Sequence, residues 1–136
     1  MSMEKLYKCM ERKKVNQSQA REAIYRVLMN SEDECLSVSD ISNKLTNICT
    51  KKISINTVYR HLRLFVSCKL IVCIQDDFKK TYYSLRGEDP LAFTVCTKCN
   101  HIEKCTLMPE CLMDALENTN FITIHKKCQK CVSKTH

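Results

Sequence analysis

The chain has 136 residues, 44% of them hydrophobic, with a formal net charge of +7 and 11 cysteines. That length allows one domain or two small ones around a modest core, and no apolar run is long enough for a transmembrane helix. The start, Met1-Ser2-Met3-Glu4-Lys5, lacks the apolar stretch of a secretory signal, so a cytoplasmic address is expected.

The whole basic excess falls in residues 1–87, whereas residues 88–136 balance their charges. A basic first half suits a polyanion such as nucleic acid. Residues 1–15 are polar and basic, with Arg12-Lys13-Lys14 before the first periodic segment, and are expected to fray or to reach toward phosphates. From Ser18 the pattern becomes helical: Ser18 caps, and Ala20, Ile24, Val27 and Leu28 share one face. Ser37 with Asp40 three residues on forms a capping box before a second helix whose buried stripe is Val38, Ile41, Leu45 and Ile48.

Lys51 and Lys52 follow in a loop, and Ser54 caps a third helix running to about Cys68. Ile55, Val58, Leu62 and Phe65 make its apolar stripe, while Asn56, Tyr59, Arg60 and Arg63 fall on the opposite side. Residues 70–74 and 81–85 read as strands around the polar turn 76–80, so the first half is expected to be a winged helix with its third helix in a DNA major groove. Arg60 and Arg63 suit guanine or phosphate, Asn56 suits adenine, and Tyr59 suits the backbone or a thymine methyl.

The only glycine, in Gly87-Glu88-Asp89-Pro90, marks a hinge. The expected modules are residues 1–87, which bind DNA, and 88–136, which pair with a second copy. In the latter, residues 91–95 and 101–105 read as strands. Pro109 opens a helix with Met108, Leu112, Ala115 and Leu116 on one side, and residues 121–124 return as a strand. An edge of so small a sheet is expected to pair with a second chain, giving a homodimer.

Two Cys-x-x-Cys pairs, Cys96 with Cys99 and Cys128 with Cys131, bracket this module. Paired thiolates at that spacing complete the four sulfur ligands of a structural zinc ion, which would clasp the two ends of the subdomain and contribute to its folding. An odd cysteine count without an export signal favours reduced thiols over a disulfide scaffold. The remaining Cys9, Cys35, Cys49, Cys68, Cys73, Cys105 and Cys111 are expected to be mostly small buried hydrophobes.

Arg21-x-x-Ile24-x-x-x-Leu28, the run Ser54-Ile55-Asn56-Thr57-Val58-Tyr59-Arg60-His61-Leu62, Leu70-Ile71 and the two cysteine pairs together resemble the ferric uptake regulator (Fur) family of bacterial metal-dependent repressors. The resemblance implies an α+β chain: a winged helix-turn-helix domain, then a small α/β dimerisation domain with a four-cysteine zinc site. It also implies binding to palindromic double-stranded operators and repression governed by a regulatory divalent metal. Asn56, Thr57, Tyr59, Arg60, Arg63, Lys51 and Lys52 are then the DNA-binding candidates.

Relatives carry a histidine-rich run before the first cysteine pair and a glutamate shortly after it; here Leu91, Ala92 and Phe93, then Glu103 or Lys104, stand at those positions. Lys69 replaces a glycine usual before the wing, and Cys35 replaces a histidine. Cys35, His101, Glu103, Cys105 and His125 form a second candidate set for metal or redox chemistry. Two other functions fit the same scaffold: a zinc-stabilised protein-interaction module and a thiol-based oxidant sensor. Catalysis is not expected, since the chain has no Gly-rich phosphate loop, no HExxH and no recognisable nucleophile, base and orienter set.

Overall fold

The computed structural model describes residues 3–14, 18–86, 91–105 and 121–133. Its first element corrects the expectation of a frayed basic arm. Met3–Lys13 is a helix, α1, with Leu6, Cys9 and Met10 buried and Lys8, Arg12 and Lys13 exposed. The apolar residues recur at i, i+3 and i+4, so a short amphipathic stripe is laid down within a basic composition.

Serines start the next three helices. Ser18 accepts the Arg21 amide at 3.4 Å to open α2 (Gln19–Asn30). Ser37 and Asp40 cap each other reciprocally at 3.2 and 3.0 Å to open α3 (Val38–Thr46). Ser54 accepts the Thr57 amide at 3.2 Å to open α4 (Ile55–Ser67). Each serine satisfies an amide that the first helical turn leaves without a carbonyl. Ile48 and Ile55 do not join the buried stripes expected of them and are 54% and 57% exposed. Ile48 lies beyond the end of α3, and Ile55 is the first residue of α4, so its side chain leans back over the chain ahead of the helix and not onto its packed body.

Helices α2, α3 and α4 pack around a core that includes Ile24, Tyr25, Leu28, Ile41, Leu62 and Phe65. The Tyr25 and Phe65 rings meet edge to face with centroids 5.4 Å apart, an arrangement favoured by their quadrupoles. Cys9 and Cys68 are joined in a disulfide across this core, which corrects the expectation that both are free thiols. After α4 the chain turns at Lys69, whose φ of 61° is left-handed. That conformation disfavours a side chain with a Cβ, which accounts physically for the fit of a glycine at this point.

Strands β1 (Ile71–Gln75) and β2 (Thr81–Leu85) form the antiparallel wing, with Ile71 opposite Leu85 and Gln75 opposite Thr81. Asp76 builds the tip: its Oδ1 accepts the amides of Phe78 at 2.8 Å and Lys80 at 2.9 Å. Leu36, just ahead of α3, adds a bridge to Tyr83, each amide donating to the other residue's carbonyl at 2.8 and 2.7 Å.

The second sheet has the order β4-β3-β5, from β3 (Leu91–Cys96), β4 (Ile102–Lys104) and β5 (Phe121–Lys126). β4 is antiparallel to β3, and β5 is parallel to it over six residue pairs. A short helix, α5 (Gln129–Ser133), follows. The helix expected after Pro109 and the hinge at 87–90 lie outside the described residues.

Period-two alternation gives the wing two buried faces. Ile71, Tyr83 and Leu85 join the helical core, while Val72 and Ile74 join a second core with Phe93, Val95 and Ile102. The wing hairpin thus stands between the helices and the second sheet.

Candidate functional site

β3 ends at Cys96, and a tight turn through Asn100, with φ 63°, leads back to β4. The turn closes with the Cys96 amide donating to the His101 carbonyl at 2.9 Å and the Asn100 amide donating to the Cys96 carbonyl at 3.0 Å. Parallel pairing of β5 with β3 carries Lys126 alongside Cys96, so the second cysteine pair arrives beside the first. The four Sγ atoms of Cys96, Cys99, Cys128 and Cys131 lie within 4.8 Å of one another. Cys96 is 3.6 Å from Cys131, and Cys99 is 3.6 Å from Cys128.

Four sulfurs about 2.3 Å from a tetrahedral zinc stand about 3.8 Å apart, so this arrangement fits that ion. The amides of Cys99 and Lys98, each at 3.4 Å, and of Cys128, at 3.3 Å, point at the Cys96 sulfur. Those amides, Cys99 and Cys128 first, hold the Cys96 thiol well below its ordinary range, whereas burial raises Cys131. Four thiolates this close would repel one another, and a divalent ion among them offsets that repulsion.

The second candidate set does not gather in the same way. Among the described residues, the four-cysteine cluster is the only group of three or more potential ligands drawn together. Cys35, His101, Glu103 and Lys104 line one groove of about 1010 Å³, with Asp33 and Asp40. Within it His101 Nε2 pairs with Glu103 Oε1 at 2.9 Å. Burial pushes the Cys35 thiol up to about 11, against the opposing effect of the Lys104 ammonium. Lys104 Nζ itself donates to the carbonyls of Glu32 and Leu85. His125 Nδ1 instead faces Asp77 Oδ1 in the wing tip at 2.9 Å, and Cys105 is half-buried.

On α4 the helical period separates a core face from an outer face. Val58, His61, Leu62 and Phe65 are buried, and Asn56, Tyr59, Arg60 and Arg63 are exposed. Lys51 and Lys52 are exposed just before the helix. Thr57 is half-buried, and its hydroxyl shares a 2.9 Å hydrogen bond with Ser54, so it serves the cap. Sequence reasoning did not single out His61, which is buried beside Arg21 of α2. Its place on the same turn as Val58 and Leu62 was the available signal.

The Ferric uptake regulator family model matches residues 12–131. The chain belongs to that family. Fur-family proteins are transcription regulators, not enzymes, and they bind DNA and form dimers. The chain is 28% identical over 128 residues to the ferric uptake regulation protein of Bacillus subtilis strain 168, covering 84% of this chain and 83% of that protein.

Among solved structures it is similar to the ferric uptake regulator from Francisella tularensis with iron: TM-score 0.69, 26% identity, 86% of this chain and 94% of that one. The Helicobacter pylori regulator Fur shares the fold with a TM-score of 0.77 at 19% identity, covering 98% of this chain and 93% of that one. No helix among the described residues of this Fur-family chain is long and apolar enough to cross a membrane.

Proposed function

We propose that this Fur-family chain is a cytoplasmic, homodimeric repressor that reads palindromic double-stranded operators through α4 and holds a structural zinc at Cys96, Cys99, Cys128 and Cys131. The observation that carries the reading is the division of α4: one face is anchored in the helical core while Asn56, Tyr59, Arg60 and Arg63 stand exposed beside Lys51 and Lys52. A two-fold dimer would present two such helices to two half-sites. The sulfur spacing supports zinc, whose closed tetrahedral thiolate shell is structural in character.

The regulatory metal site is altered in this reading. Cys35, His101 and Glu103 share a groove with the Lys104 ammonium, and a resident cation opposes binding of another at short range. The test is to sequence genomic fragments retained by the purified protein with and without added divalent metals, and to count its bound metal. Retention of one palindromic set with one zinc per chain supports the proposal. Failure to select any fragment favours a protein-interaction module, and a zinc count near zero in reduced, folded protein overturns the four-cysteine site.

A further inference from the structure

A second pair of sulfurs lies away from the cysteine cluster and has no part in the reading face. Cys9 of α1 and Cys68, the C-terminal cap of α4, form a disulfide with Cα atoms 5.8 Å apart and a sequence separation of 59. Both side chains are sealed in the helical core, at 0% and 7% exposure.

The bond ties two helices of one core to each other. Cys68 ends a helix whose Val58, Leu62 and Phe65 are buried. α1 is anchored by Leu6, Cys9 and Met10, all buried. Its outer side exposes Lys8, Arg12 and Lys13 alongside Glu4 and Glu11. An amphipathic helix of 11 residues is marginal when detached, so its docking decides whether it persists. The bond joins this short helix to the joint between the reading helix and the wing, one residue before the left-handed turn at Lys69.

We propose that Cys9 and Cys68 form a reversible redox tie that fixes α1 against the end of the reading helix. Lifting of α1 admits a peroxide to the two thiols. One sulfur attacks the peroxide oxygen, breaking the O–O bond and releasing one water as it becomes a sulfenic acid. The other displaces the sulfenic oxygen as a second water, and the S–S bond forms. The peroxide gains the two electrons that the sulfurs lose, and both thiol protons leave in the water. A dithiol reductant reverses the step through a mixed disulfide. The effect on DNA rests on the function proposed above: the tied form holds the basic face of α1 in one body with α4 and binds the operator more tightly.

The test uses the full zinc-loaded chain, either reduced with dithiothreitol or oxidised with hydrogen peroxide, with zinc content followed so that oxidation of the cysteine cluster is seen separately. A Cys9–Cys68 cross-linked peptide, hydrogen exchange of residues 3–13 slowed about tenfold by oxidation, and tighter operator binding support the tie. Cys9→Ala and Cys68→Ala should each abolish the difference between the two states. Absence of the cross-link after oxidation, or equal exchange in both states, overturns the tie. Equal operator affinity in the two states overturns its coupling to α4. A protein that retains no DNA in either state overturns the proposed function, while exchange of residues 3–13 still judges the tie.

Discussion

His61 Nδ1 in α4 accepts a hydrogen bond from Arg21 Nε in α2 at 3.4 Å, so this buried imidazole faces a guanidinium instead of a carboxylate. Burial first, then the charges of Arg21 and Arg60, lower its pKa from 6.5 to about 4. The unfolded chain therefore takes up a proton at His61 before the folded chain does. Its contribution is fully present above about pH 6.5 and is lost as pH falls toward about 4. Urea midpoints recorded across that window should drop with pH in the native protein, and His61→Gln should flatten the slope. An equal slope in both proteins would rule out His61 as its source.

Loss of the proposed zinc should loosen β5, the edge strand of the second sheet, and leave the two cores folded. A zinc chelator, or Cys131→Ser, is expected to reduce the bound metal to none and to speed hydrogen exchange along β5 while α2 and α4 stay protected. β5 depends on this closure because its burial is only partial, and a structural zinc contributes its binding energy to folding. Unchanged β5 exchange in metal-free protein would remove the cluster from that role.

Lys51 and Lys52 should differ from Arg60 and Arg63 in their effect on DNA. Replacing either lysine with alanine is expected to weaken binding alike on all sequences and to lower the slope of log affinity against log salt by about 0.9. Arg60→Ala or Arg63→Ala is expected to cost about 1–3 kcal/mol on the preferred operator and to relax base choice there. Titrations at several salt concentrations on matched and mismatched operators separate the two behaviours.

Phe93 is fully buried in the second core and meets Phe121 edge to face at 5.9 Å. Phe93→Ala should destabilise the protein by about 3–5 kcal/mol through lost transfer energy and a cavity. Phe78, 78% exposed at the wing tip, should tolerate alanine within about 0.5 kcal/mol. Denaturant unfolding of both variants measures the contrast.

Local chemistry made much of this architecture legible. Ser18, Ser37 with Asp40, and Ser54 announce helix starts through side-chain oxygens a few residues from the amides they satisfy, and the paired cysteines announce their own convergence. α1 was hidden because its three buried residues sit among lysines and arginines, although Leu6 and Met10 keep helical spacing. The Cys9–Cys68 bond spans 59 residues and depends on docking that no local pattern encodes. The departures of His125 toward Asp77 and of Lys104 toward Glu32 and Leu85 are likewise tertiary, set by how the wing lies on the second sheet.

That wing has no free side. With Ile71 and Leu85 committed to the helices and Val72 and Ile74 to the sheet, the hairpin is a partition wall shared by two rooms. Neither room can be emptied without exposing a face of the same wall, so heat should collapse both in one calorimetric peak. Any tilt imposed on the partition from the sulfur-bearing end must also be felt by α4, which packs on its other face.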